Sequence, residues 1–362
     1  MRFIIFSVLA AAVVVPASAA DKRLMTVDDL SILKTVSAPA IDPSGDWVAY
    51  SVTEVDAEGD KTFSHIWKTS WDGARTVQLT SRKGESESLP RWSPDGRYLA
   101  FISARTDEKE RAQLWLLERS GGEAKRPAQI DGTVIDYAWS PNGKQIAMVV
   151  LDDDPDEIAN AAAQATLPPP QTPGEPNTDT TLPKQPTAVN TAPLANGKKE
   201  EKKPKPIVVD RYQFKQDMDG YLGKKRQRLV LLDLASGKSR RLTTGDFDEY
   251  FPSWSPDGTQ IAFVSNRDQN LDRTYNYDLF VVPNIGAASA PITLTSFKGA
   301  DNDPSFQSYP VWSPDGKNLA YLQGGPVELF SYGVRNLAVV GASGGTPKIL
   351  TAGLDRNVSQ PV

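Results

Sequence analysis

Five short apolar runs, each bounded by polar turn residues, set the rhythm of this chain: 47–51, 99–103, 146–150, 261–265 and 319–322. β-Branched, aromatic and aliphatic residues fill them, a composition that suits strands. Each run follows the same kind of turn. The strictest copies are Pro90-Arg91-Trp92-Ser93-Pro94-Asp95-Gly96, Pro252-Ser253-Trp254-Ser255-Pro256-Asp257-Gly258 and Pro310-Val311-Trp312-Ser313-Pro314-Asp315-Gly316. Tyr137-Ala138-Trp139-Ser140-Pro141-Asn142-Gly143 and Ile41-Asp42-Pro43-Ser44-Gly45 are looser copies. Proline presets φ for the first central turn position, Asp or Asn tolerates the second, and glycine closes the turn. Each motif therefore predicts a hairpin.

A second predicted hairpin follows every motif: 66–71 with 76–80, 113–117 with 128–130, 228–234 with 239–243, 278–282 with 291–295, and 336–340 with 347–351. The turn prolines, 43, 94, 141, 256 and 314, are spaced by 51, 47, 115 and 58 residues. Three of these spacings suit a propeller blade of roughly 40–50 residues or a little more, and the long one carries an insertion. Four strands per repeat predict an all-β fold, a β-propeller of about five four-stranded blades over 39–362. Gln360-Pro361-Val362 aligns with Tyr309-Pro310-Val311, so the sequence stops where a further blade begins. The ring is expected to be incomplete and the chain a piece of a longer protein, with apolar side chains around Trp312, Leu319 and Tyr321 left open at the end blade.

Three segments fall outside the repeat. Arg2, the apolar stretch 3–15 and Ala17-Ser18-Ala19 read as a secretory signal peptide over 1–19, too short to span a membrane. Export follows as an expectation, periplasmic or secreted, and no later stretch is apolar enough to span. Residues 20–38 form a lead-in, with a short helix expected over 26–36, where Thr26 and Asp29 make a capping-box pattern. Residues 152–206 run from an acidic start to a lysine-rich end, and ten of the 28 prolines lie between 168 and 206. Their low apolar content predicts a disordered loop inside the third blade, with strands resuming near 207, at 208–214.

Composition removes several functions. The 40 basic and 45 acidic residues give a net charge of −5, which argues against a nucleic-acid partner. With no cysteine and one histidine, neither a disulfide nor a zinc cluster is expected, and no metal or cofactor is called for. Gly341-Ala342-Ser343-Gly344-Gly345 matches the nucleophile-elbow pattern, but a strand-like segment follows it and no histidine comes later. It is read as a hairpin loop. His65 is read as a strand-edge hydrogen-bonding residue, so no catalytic residue is assigned. The acidic loop of Asp246, Asp248 and Glu249 precedes the fourth motif, where a carboxylate could hold a peptide's α-amine; a solvated loop is the plainer reading. Arg211, Asp219 and Tyr221 make a second candidate surface. Trp92, Trp139, Trp254 and Trp312 are assigned to packing between blades.

Certain stretches carry a family likeness: Leu24-Met25-Thr26-Val27-Asp28-Asp29-Leu30, Asp210-Arg211-Tyr212, Asp219-Gly220-Tyr221-Leu222 with Arg228-Leu229, and Phe263-Val264-Ser265-Asn266-Arg267-Asp268 with Asp278-Leu279-Phe280-Val281-Val282. Over 24–362 the chain resembles the propeller of secreted bacterial prolyl oligopeptidase-family serine peptidases, of the acylaminoacyl-peptidase and dipeptidyl-peptidase branch. The resemblance implies peptides as substrates and a following α/β-hydrolase domain, absent from these residues, that holds the Ser-Asp-His triad. The propeller would then gate and select substrate. The Trp-Ser-Pro-Asp-Gly repeat is shared with Tol-B-like periplasmic propellers, which makes a non-enzymatic interaction module the alternative.

Overall fold

A computed structural model describes residues 23–361 apart from 83, 106–110, 154, 156–207, 210, 217–219, 284, 286–289 and 330–331. The proposed signal peptide and nearly all of the proline-rich insertion lie outside the described residues. Val27–Ser31 form a 3₁₀ turn entered at Thr26, whose backbone N–H donates to Asp29 Oδ2 at 2.7 Å. The helix expected over 26–36 is shorter than the capping pattern suggested. β-Branched Thr35 and Val36 instead pair with Thr53 and Val52.

Among the described residues, five antiparallel blade sheets follow in chain order. The first is β1 (Thr35–Ile41), β2 (Trp47–Asp56), β3 (Lys61–Ser70) and β4 (Thr76–Gln78). The second is β5 (Glu87–Trp92), β6 (Tyr98–Ser103) and β7 (Gln113–Glu118). Its fourth strand, expected over 128–130, is reduced to a single bridge between Leu116 and Lys125. The Gln113 side chain occupies that place, accepting from Ile130 N–H at 3.0 Å and donating to Gly132 C=O at 3.0 Å.

The third sheet starts with β8 (Thr133–Trp139) and β9 (Gln145–Leu151). Next in the chain comes a separate two-residue hairpin of β10 (Lys215–Gln216) and β11 (Gly220–Tyr221), before β12 (Gln227–Asp233) and β13 (Lys238–Arg241) complete the sheet. The strand expected over 208–214 is absent among the described residues, and pairing within the blade resumes at Gln227. The fourth sheet is β14 (Glu249–Trp254), β15 (Ile261–Ser265), β16 (Asp278–Val282) and β17 (Ile292–Thr293). The fifth is β18 (Gly299–Asp301), β19 (Val311–Trp312), β20 (Asn318–Pro326), β21 (Asn336–Gly341) and β22 (Lys348–Ile349). Among the described residues no strand pairing joins the first sheet to the fifth.

The core consists of four layers between successive sheets. Ala49 and Ile66 meet Leu99, Phe101 and Trp115. Ala100, Ile102 and Leu114 meet Tyr137, Ile146 and Met148. Ala147, Val149 and Leu229 meet Trp254, Ile261 and Phe263. Ala262, Leu279 and Val281 meet Trp312, Leu319 and Tyr321. Alternate residues of β6, β9 and β15 thus enter different layers, as the two-residue period of a strand requires. That is why these strands read as unbroken apolar runs: both of their faces are buried. The openness expected at Trp312, Leu319 and Tyr321 is not seen. Their side chains turn toward the fourth sheet and are 9%, 0% and 0% exposed.

The motif fixes both the turn and the order of sheets. In the fourth sheet Ser255 Oγ donates to Asp257 Oδ1 at 2.6 Å and accepts from Gln260 N–H at 3.0 Å. Gly258 N–H closes the turn on Ser255 C=O at φ +70°. The first sheet exchanges the two side-chain roles, with Asp42 accepting from Ser44 Oγ and from the Asp46 and Trp47 amides. The indole N–H of Trp139, Trp254 and Trp312 donates to Arg91, Ala138 and Ser253 C=O at 3.1, 3.1 and 3.0 Å. Each acceptor directly precedes the tryptophan, or the Trp92 equivalent, of the sheet before it, so the indoles staple consecutive inner strands as packing residues.

Candidate functional site

The Trp-Ser-Pro-Asp-Gly turns occupy one end of every sheet. The first residues of the inner strands gather at the other end, with the β2–β3-type connections and the loops between sheets. There a carboxylate five residues before the motif tryptophan recurs as Glu87 and Glu249, each 0% exposed. Glu87 accepts from Arg105 Nη2 at 2.6 Å and from Thr80 Oγ1 at 3.0 Å, and lies 2.8 Å from His65 Nδ1. His65 makes this hydrogen bond from the middle of β3, not from the strand edge where the sequence reading put it. Glu249 accepts from Arg267 Nη2 at 3.3 Å, with Arg228 Nη1 at 3.9 Å. Burial pushes its carboxyl up to about 7, against the pull of both guanidinium groups. Arg105 lies over Phe101 and Trp115, and Arg267 over Phe263 and Phe280, so one construction serves two blades.

The sequence-nominated surface forms beside Glu249. Asp246 is exposed. Asp248 is half-buried and accepts from Gln227 N–H at 2.7 Å; burial raises its carboxyl, while Arg226, Arg211 and Arg228 act in the opposite sense. Arg211 forms a bidentate pair with Asp272, its Nε donating at 3.0 Å, and Asp272 also holds Gln213 N–H. The structure therefore brings Arg211, Asp248 and Glu249 to one corner of the fold. Tyr221 stands on the β10–β11 hairpin, 56% exposed and stacked on Phe214. Asp219 lies outside the described residues. The base of the long insertion is anchored next to this corner, where Asp152 accepts from Arg228 Nε at 3.3 Å and Arg241 Nη2 at 2.7 Å.

A second constellation crosses the propeller axis. Arg91 of β5 is 3.0 Å from Asp136 Oδ1 of β8, and its Nη2 donates to Tyr309 Oη at 2.7 Å. Tyr309 Oη donates in turn to Asp136 Oδ2 at 2.8 Å, tying the fifth inner strand to the second and third. Arg91 also lies over the Tyr137 and Tyr309 rings. Sequence reasoning missed this cluster, although a signal was present. Leu89, Asp136, Phe251 and Tyr309 all stand three residues before a motif tryptophan. Leu89 and Phe251, with Ala38 of the first sheet, adopt φ of +53°, +54° and +51°. L-Residues enter that region only at a cost of about 1–2 kcal/mol, which the ladder bulges at these points impose.

Gly341-Ala342-Ser343-Gly344-Gly345 is the turn between β21 and β22, with Gly344 N–H on Gly341 C=O and φ of +84° and +126° at Gly344 and Gly345. Ser343 sits in a hairpin loop, not on a strand-to-helix elbow. Among the described residues, no group of three or more His, Asp or Glu is arranged to hold a metal ion. No helix among them is long and apolar enough to cross a membrane.

These features define an all-β propeller whose sheets are not closed. No family model matches the chain. Peptidases are among its relatives, and it corresponds to their propeller-like portion, consistent with the prolyl oligopeptidase resemblance. It is 29% identical over 262 residues to the uncharacterized peptidase YuxL of Bacillus subtilis, covering 72% of this chain and 34% of that protein. It is 23% identical over 331 residues to dipeptidyl-peptidase 5 of Porphyromonas gingivalis, covering 88% and 42%. The fold superposes on an acylaminoacyl peptidase in complex with Z-Gly-Gly-Phe-chloromethyl ketone with a TM-score of 0.59 at 15% identity, over 92% of this chain and 42% of that one. A shorter match, 38% identical over 69 residues, is to the Tol-Pal system protein TolB of Alcanivorax borkumensis, covering 19% and 13%. The chain thus spans less than half the length of the peptidases it matches.

Proposed function

We propose that this chain is the substrate-selecting propeller of an exported serine peptidase that acts on short peptides. The observation that carries the reading is the match to YuxL and dipeptidyl-peptidase 5 across most of the propeller. In this reading an α/β-hydrolase domain of the same parent protein supplies serine, histidine base and oxyanion hole for acyl transfer, and the propeller admits the peptide. Aminoacyl or dipeptidyl release is the expected outcome. The Tol-B-like alternative rests on the shorter TolB match.

The corner holding Arg211, Asp248, Glu249 and Tyr221, with Asp219 beside it in sequence, is proposed as the peptide-facing surface. Glu249 is held by Arg267 beneath it, which leaves Asp248 as the carboxylate for a peptide's α-amine. The guanidinium groups around Asp248 favour the competing arrangement, in which they hold a peptide carboxylate. Titration calorimetry with Ala-Ala-Ala in free, N-acetylated and C-amidated forms separates the two. The proposal expects saturable binding that one form of blocking weakens about tenfold and that Asp248→Asn alters. Equal absence of binding for all three forms contradicts a peptide-selecting role.

A further inference from the structure

The four positions three residues before a motif tryptophan do more than share a register. Leu89, Asp136, Phe251 and Tyr309 converge on one cavity of about 210 Å³ at the axis, with Ile135, Val149, Tyr250 and Gln227 completing the wall. Pockets for whole drug-sized ligands run to roughly 300–1,000 Å³, so this one has room for a single side chain. Its lining is mostly apolar, with three aromatic rings and three aliphatic side chains beside Asp136 and Gln227. The Phe251 and Tyr309 ring centroids are 4.9 Å apart at 57°, and Tyr250 lies 6.3 Å from Phe251.

The cavity carries one charge pair, and that pair is internally matched. Asp136 Oδ1 accepts from Tyr137 N–H at 2.8 Å and faces Arg91 at 3.0 Å, while Oδ2 accepts from Tyr309. A carboxylate engaged on both oxygens has no call for an ammonium, and Arg91 beside it has none for an anion. Gln227 differs. Its backbone N–H is used by Asp248, whereas its half-buried side-chain amide has no hydrogen-bond partner among the described residues. The wall thus offers an apolar, partly aromatic slot in which the Gln227 side-chain amide can both donate and accept. Aromatic rings pack on such walls edge-to-face or offset, gaining about 0.5–1.5 kcal/mol beyond area burial.

We propose that this axial cavity is a binding site for one aromatic side chain of a peptide, with the Gln227 amide meeting that residue's main chain. The inference deepens the proposed function and rests on its peptide-binding reading. It assigns Leu89, Phe251 and Tyr309 as specificity-determining residues, and it explains why a bulky Phe251 holds a left-handed backbone: the bulge aims the ring at the axis.

The test is titration of the purified chain with N-acetyl-phenylalaninamide and N-acetyl-alaninamide, both blocked at each end. The phenylalanine compound should bind at least about tenfold more tightly. Ile135→Phe, which fills the cavity from the β8 wall, should abolish that preference while far-ultraviolet circular dichroism and melting stay as in the parent. If Ile135→Phe does not fold, Phe251→Leu decides, with an expected loss of about fivefold in the preference. Equal affinity for the two compounds, or a preference unmoved in the folded variant, overturns the proposal. Alanyl peptides that bind through their termini with no gain from phenylalanine leave the proposed function standing and sink only this site. A bound blocked phenylalanine compound with no response to terminal charge on peptides does the reverse.

Discussion

Two residue-level features have measurable consequences. Trp254 donates its indole N–H across a sheet interface to Ala138 C=O, whereas the buried Trp92 indole N–H has no partner among the described residues. Trp254→Phe removes a buried hydrogen bond, at about 0.5–1.5 kcal/mol. Trp92→Phe removes an unpaired donor and should cost less, or nothing. Chemical denaturation of the two variants checks this, and equal losses would contradict the staple. The second feature is Asp301, 0% exposed, accepting from Gln323 Nε2 at 2.8 Å with Asp278 nearby. Burial pushes Asp301 up to about 7 and Asp278 to about 6, from an ordinary 3.8. In the window from about 4 to 7 the folded state therefore binds protons that the unfolded state releases, and stability declines as pH rises through it. The melting temperature should fall between pH 5 and pH 8, and Asp301→Asn should flatten that slope. A melting temperature that rises over this range, unaffected by the substitution, would contradict it.

At the scale of elements, the turns were legible from sequence because each rests on local chemistry: a proline φ, a Ser-to-Asp hydrogen bond and a glycine at positive φ. Gly45 and Gly258 have φ of +78° and +70°; no atom lies within 4 Å of a Cβ at Gly45, and the nearest at Gly258 is Pro141 Cδ at 3.5 Å. Neither site is crowded, so alanine at either should cost about 1–2 kcal/mol from backbone conformation alone, read as similar shifts in denaturation midpoint. A much larger loss at Gly258 would mean that the Pro141 contact carries the turn. The apolar runs also announced their strands, since burial on both faces leaves no polar alternation. What stayed hidden depended on distant partners. Gln113 replaces a fourth strand in the second sheet by bonding Ile130 and Gly132, and no local pattern signals that. The 208–214 segment has strand composition, yet its Arg211 and Gln213 bond Asp272 of the fourth blade, outside any ladder. Glu249 read as part of an acidic loop because Arg228 and Arg267, 21 and 18 residues away in sequence, are near only in the fold.

At the scale of the molecule the two ends of the propeller do different work. The turn end is a repeated structural ladder, in which glycines 96, 143, 258 and 316 each lie against the turn proline of the preceding blade. The opposite end collects the irregular material: the base of the long insertion, the arginine-rich corner around Asp248 and the bulged strand starts that ring the axial cavity. The proposed peptide-selecting role belongs to that end. The proposal is that this chain recognises peptide, and Ser343, a hairpin-loop residue, is not expected to act as a nucleophile. Equilibrium dialysis of the purified chain against Ala-Phe-p-nitroanilide, with bound compound and free nitroaniline read on the same samples, tests both halves together. Saturable retention with no release of nitroaniline is the expected result. Release that Ser343→Ala abolishes, or no retention at any concentration, would contradict it.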